Sequence, residues 1–220
     1  MVTSSQATIS EFGRRRSARA VVLVLHGGQV TSTARARRGL AWARMLPFAR
    51  GVARATRGDA VAVWLLRYRV RGWNGPAEDP LPDVRWALDE ARRRHPGAAI
   101  VLVGHSLGGR AALRFAAEPG VAGICALAPW LERDDPLVHG RAPVLIAHGD
   151  RDRVTDPAAS AAYAARIGAT FVPVAGDMHA MLRRPLFWQR LVTGFARQCI
   201  GPDPGGRRDR DGTDIVPSRE

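Results

Sequence analysis

The sequence predicts an α/β fold, a mostly parallel sheet covered by helices on both faces. Two observations carry this expectation. Short runs rich in Val, Ile and Leu alternate with longer amphipathic segments, and the runs are near-continuously apolar, as strands are when both sheet faces are buried. Glycine-rich or acidic loops also follow several of these runs directly, as they do where parallel strands carry chemistry at their carboxyl ends. With 220 residues, 46% of them hydrophobic, the chain holds one domain with a sizeable core.

Residues 1–18 read as a flexible leader with room for one short strand at Ala7–Phe12. The folded domain spans 19–200. Its strand candidates are Ala20–Leu25, Ala60–Leu66, Ala99–Val103, Val121–Ala128, Val144–Ala147 and Thr170–Val174. Between them, helical spacing recurs in Trp42, Met45, Ala49 and Val52, in Val84, Leu88 and Ala91, and in Phe187, Leu191 and Phe195. Asp83 is placed to cap or charge-match the second of these helices, and Pro96-Gly97 ends it. Residues 201–220, rich in Gly, Pro and charge, read as a disordered tail.

The net charge of +13 comes entirely from arginine, because the chain contains no lysine. The arginines are scattered, with no recognition helix, RNP-like run or zinc-finger spacing, so no specific nucleic-acid partner is expected. The longest purely aliphatic run, Ala20–Leu25, is too short to span a bilayer, and the N-terminus lacks the apolar stretch of a secretory signal. A cytoplasmic location is the expectation. Cys125 and Cys199 are too few for a disulfide framework and read as free thiols.

Four loops carry chemistry-bearing residues. Gly104-His105-Ser106-Leu107-Gly108-Gly109 follows a strand and precedes a helix, the context of a G-x-S-x-G nucleophile turn. Ser106 is the candidate nucleophile, and glycines flank it because side chains there collide with the adjoining strand and helix. The Leu107 N–H, at a helix start, suits a developing oxyanion. His26-Gly27-Gly28-Gln29 follows the first strong strand, and the Gly28 N–H is the second oxyanion donor, with Gln29 next in line. His148-Gly149-Asp150-Arg151-Asp152 offers a carboxylate to orient a histidine, with Asp150, Asp152 and Asp156 in competition. Gly176-Asp177-Met178-His179 supplies a histidine beyond the last strand. The histidines show no HExxH-like metal spacing.

Taken together, HGG, GHSLGG, HGDRDRVTD and GDMH, each just past its own strand and in the order Ser, Asp, His, resemble the α/β-hydrolase superfamily over roughly residues 20–198. The resemblance is to small members such as carboxylesterases and dienelactone-hydrolase-like proteins, though the latter carry cysteine where this chain has Ser106. It implies catalytic Ser106, Asp152 and His179, with Asp152 as the acid by the HG-x-x-D pattern. It also implies no metal or organic cofactor and a small ester or acyl substrate. Few residues precede the first strong strand, so six or seven strands are expected. Only Pro129–Pro143 separates two late strands, too little for a cap domain, which leaves the site open. Trp130, Trp73, Gln29 and His105 are candidate substrate-lining residues. The competing readings are a non-catalytic binding protein on the same fold, and a peptidase, thioesterase or acyltransferase.

Overall fold

The computed structural model describes residues 6–14 and 16–202. Seven strands form one sheet in the order β1-β3-β2-β4-β5-β6-β7. They are β1 (Thr8–Gly13), β2 (Ala20–Leu25), β3 (Val61–Arg67), β4 (Ala99–His105), β5 (Val121–Leu127), β6 (Val144–Gly149) and β7 (Thr170–Val174). All neighbouring pairs are parallel except β1 with β3. β1 is the short strand expected at Ala7–Phe12, and it draws part of the leader into the domain. Residues 8–13 belong to the sheet, because Ile9 and Phe12 pack on its two faces and Glu11 pairs with Arg94 at 2.8 Å. Nearly all of the segment expected to be a disordered tail lies outside the described residues.

Among the described residues five α-helices cover the sheet: α1 (Leu40–Ala55), α2 (Pro80–Arg94), α3 (Leu107–Leu113), α4 (Pro157–Ile167) and α5 (Pro185–Ile200). Alternate residues of each central strand serve two separate cores. Val21, Leu23 and Leu25 of β2 pack with residues of α2, α3 and α4, whereas Ala20, Val22 and Val24 pack with α1 and α5. A fully buried Val or Leu side chain contributes about 1.5–3 kcal/mol, and the central strands are buried at nearly every position. This double burial is why they lack a polar face.

Two helical details depart from expectation. Asp83 stands in the first turn of α2, as the charge-match expected, but does not cap it: it is buried, accepts the Arg69 N–H at 2.8 Å and forms an ion pair with the Arg69 guanidinium at 2.5 Å. The buried stripe of α5 is Trp188, Val192, Phe195 and Ala196, with Phe187 exposed. The Trp188 indole N–H donates to buried Asp177 at 2.7 Å, and that bond sets the helix rotation.

Residues 128–143, between β5 and β6, contain no helix. They are fastened down instead. Asp135 accepts from Arg110 and Arg114, each at 2.9 Å, and the Arg110 guanidinium lies between Trp73 and Trp130 at 4.3 and 4.4 Å from their ring centroids. Where a cap domain would be inserted there is thus a short, tethered loop. No helix among the described residues is long and apolar enough to cross a membrane. Both cysteines are free.

Candidate active site

The carboxyl ends of the parallel strands gather the four loops singled out above. Ser106 lies between β4 and α3 with φ 55° and ψ −121°, a left-handed conformation that L-residues adopt at a cost. Its N–H donates to the Leu127 carbonyl at 3.0 Å, which helps hold the turn. Glycine is obligatory on either side. A Cβ on Gly104 would overlap the Gly108 carbonyl, and one on Gly108 would sit 2.5 Å from the Leu25 oxygen and 2.6 Å from that of His26. The packing of α3 against β2 and β4 therefore depends on both positions.

The three competing carboxylates have separate partners. Asp150 accepts the Gly176 N–H at 2.7 Å and ties two loops together. Asp156 caps α4 through the Ala158 N–H at 2.8 Å. Asp152 is the one beside His179, with its Oδ2 2.7 Å from Nδ1. The same oxygen lies 3.0 Å from His148 Nε2 and accepts from the Thr155 hydroxyl at 2.9 Å, while Oδ1 accepts the Val154 and Thr155 N–H groups at 2.7 and 3.1 Å. Burial opposes ionisation of Asp152, but these hydrogen bonds outweigh it and hold the carboxyl well below the usual carboxylate range.

An ionised Asp152 has no proton to give, so both histidines donate to it. His148 is then the Nε2–H tautomer, and its Nδ1 accepts from the Ser160 hydroxyl, 2.8 Å away. His179 carries its proton on Nδ1, which leaves an Nε2 lone pair free to act as a base.

The His179 loop is built by Asp177, buried between β7 and α5. Its carboxylate accepts the Met178 N–H at 2.7 Å, the Arg184 N–H at 3.1 Å and the Trp188 indole N–H. Gly149 allows this loop to pack on the end of β6, since a Cβ there would lie 2.5 Å from the Asp177 carbonyl oxygen. From below, His105 donates Nε2–H to the His179 carbonyl at 2.9 Å, with the two rings 4.7 Å apart. Burial keeps His105 neutral, its pKa lowered to about 3. Ser106 and His179 themselves share no hydrogen bond among those of the described residues; such contacts often tighten only when substrate binds.

At the first loop, the Gln29 N–H is spent on the Arg71 carbonyl at 2.8 Å, whereas neither Gly28 nor Leu107 donates its N–H to another described residue. Gly28 lies against Leu107: a Cβ built on it would be 2.8 Å from a Leu107 methyl carbon. Gln29 lines the cavity beside this loop. Two of the expected lining residues do not. His105 is buried beneath His179, and Trp73 is buried against Arg110, because each aromatic ring has a core or cationic partner. Trp130, half-buried, stacks on Arg110 through its ring and donates its backbone N–H to the Ser106 carbonyl at 3.2 Å. Sequence reasoning missed His148, Thr155 and Asp177 as positioning residues. The His-Gly doublet four residues before Asp152 was the only local signal for the first of them.

No protein-family model matches the chain, and no curated protein matches it in sequence. Solved structures do. A serine hydrolase without a lid from Xanthomonas campestris superposes with a TM-score of 0.69 at 21% identity, covering 90% of this chain and 91% of that one. The butyrate-bound esterase Est2 of Thermogutta terrifontis gives 0.68 at 17% identity, covering 93% and 94%. A serine hydrolase homologue from Coxiella burnetii gives 0.64 at 17% identity, covering 86% and 89%. The shared architecture is the α/β-hydrolase fold, here without a cap.

Proposed function

For a chain with the capless α/β-hydrolase fold, we propose the function of a serine hydrolase that cleaves carboxylic esters through Ser106, His179 and Asp152. The observation that carries the reading is the Asp152 carboxylate, buried, ionised and 2.7 Å from His179 Nδ1, in a loop that shares the sheet edge with the strained Ser106 turn. The esterase and lidless hydrolase named above fit the same reading.

In this mechanism Ser106 Oγ attacks the ester carbonyl carbon while His179 Nε2 takes the hydroxyl proton. The Gly28 and Leu107 N–H groups hold the oxyanion. Asp152 stabilises the imidazolium and keeps Nε2 directed at the nucleophile. The carbon–oxygen bond to the alcohol then breaks, and His179 gives its proton to the departing oxygen. Water, deprotonated by His179, attacks the acyl-enzyme and returns Ser106 with release of the acid. His148, Thr155 and Asp177 act on the acid and base rather than on substrate. The open edge suits small or exposed acyl groups.

The test is covalent labelling by a fluorophosphonate, read by intact mass. Stoichiometric labelling of the wild type that is lost in Ser106→Ala and His179→Ala, with kcat on esters down by on the order of 10⁴, supports the assignment. A folded wild type that does not label, or a Ser106→Ala variant that still turns over, overturns it in favour of a binding protein on this fold.

A further inference from the structure

On one side of the molecule the arginines are matched by carboxylates. Arg85 and Arg92 pair with Glu118, Arg93 with Glu90, Arg94 with Glu11, and Arg110 and Arg114 with Asp135. Beside the Gly28 loop the pattern changes. A cavity of about 630 Å³ opens there between the loop His26–Gln29, residues 34–37 and the start of α1 at Gly39–Trp42. Arg35, Arg37 and Arg71 all line it, and no acidic residue does. Among the described residues none of the three forms an ion pair. A second cavity next to it is lined by Thr8, Arg35, Arg37, Arg38 and Arg67, again without a carboxylate. After burial, the nearby charges of Arg35 and Arg38 are what lower the pKa of Arg67, so these cations repel one another.

The backbone that carries these exposed arginines is paired. Residues 34–36 pair with 69–71 through Ala36 N–H to Arg69 O and Arg71 N–H to Ala34 O, both at 3.0 Å. The Arg71 carbonyl accepts from Gln29 at 2.8 Å, which joins this ribbon to the loop that carries Gly28. α1 opens on the same cavity with no side-chain cap and no acid in its first turn, so its positive end adds to the field. His26 does not, because burial keeps it neutral with a pKa near 4. Ala34, Ala36, Leu40, Ala41 and Trp42 supply apolar wall to the same cavity, and its Gly27 borders the nucleophile, since a Cβ there would lie 3.4 Å from Ser106 Cβ. Gathering like charges without a counter-ion costs free energy unless an anion arrives. Planar guanidiniums suit carboxylate and phosphate.

We propose that this cavity selects anionic substrates: an ester whose reacting carbonyl is joined by a short apolar segment to a carboxylate or phosphate held by Arg35, Arg37 and Arg71. This rests on the serine-hydrolase reading for the reaction, but the anion site itself does not.

The experiment compares three p-nitrophenyl esters of similar length: the neutral butyrate, the mono-ester of glutarate and a phosphate-terminated butyrate. The expected result is a kcat/KM for at least one anionic ester roughly tenfold above the neutral one, arising in KM and shrinking with added salt. The ratio collapses toward one in the Arg35→Gln/Arg37→Gln/Arg71→Gln variant and survives in Arg93→Gln, whose guanidinium is already paired on α2. Equal or better use of the neutral ester by wild type, or a ratio that persists in the triple variant, overturns the proposal while leaving fluorophosphonate labelling intact. Should the wild type neither label nor cleave any ester, the hydrolase reading fails separately. Calorimetric titration with glutarate and with inorganic phosphate then decides: binding lost in the triple variant upholds the anion site, and no binding to wild type removes it.

Discussion

Asp152 receives five hydrogen bonds, three of them from side chains, and its charge decides which nitrogen of His179 carries the proton. Replacing one carboxylate oxygen by an amide inverts that logic. In Asp152→Asn an amide N–H₂ in place of Oδ2 faces both histidines, and His179, meeting a donor, presents Nδ1 as acceptor and places its proton on Nε2, where it blocks the Ser106 transfer. The expected result is a kcat lower by on the order of 10³–10⁴ with KM little changed. Steady-state kinetics on a folded variant check this, and retention of a tenth of wild-type kcat would count against the assigned tautomer. Asp150 and Asp156 have no such leverage, because one fastens a turn and the other caps a helix.

At the scale of elements, the site depends on how β7, the His179 loop and α5 are joined. Asp177 is the joint: it gathers backbone amides of the loop and the Trp188 indole into one buried carboxylate. Trp188→Phe keeps the apolar ring but removes a charge-assisted donor. A cost of about 1–3 kcal/mol is expected, seen as a lower urea midpoint. The rate of fluorophosphonate labelling should fall with it, because the loop that sets His179 is less well held. Lost stability with an unchanged labelling rate would show that α5 merely packs. The tethering of residues 128–143 by Asp135 works in the same way, through Arg110 and Arg114 of the α3 region.

Across the whole molecule, buried neutral histidines set the response to acid. His26 and His105 have ordinary values near 6.5 lowered to about 4 and about 3, chiefly by burial. The unfolded chain takes up protons at these positions near pH 6.5, while the native state resists until well below. Stability therefore falls as pH drops from 6.5 toward 4, by on the order of 3 kcal/mol for a shift like that of His26. Asp152, with its depressed pKa, contributes stability that is present above the ordinary carboxylate range and lost only at lower pH. Urea unfolding at neutral pH and near pH 4.5 measures the difference. A flat profile over that interval would show that neither histidine is buried as described.

How much could be read in advance follows from the range of the forces involved. The strands were legible because burial on both faces leaves an unbroken apolar run, and the Ser106 turn because only glycine fits against Leu25, His26 and Gly108. Those constraints are local or nearly so. The choice of acid was not settled by spacing from the residues alone, since Asp150, Asp152 and Asp156 share one loop; the HG-x-x-D resemblance pointed to Asp152, but its contact with His179 depends on Gly149 packing under the Asp177 carbonyl. The antiparallel pairing of β1 with β3, the rotation of α5, the burial of Trp73 and His105, and the support of Asp152 by His148 and Thr155 likewise depend on separate elements meeting in a dry interior. The arginine-lined cavity joins residues 35 and 37 to residue 71, which local composition shows only as scattered charge. Backbone preference and periodicity are written along the chain, whereas the partner of each buried polar group is chosen by register and desolvation when the elements pack.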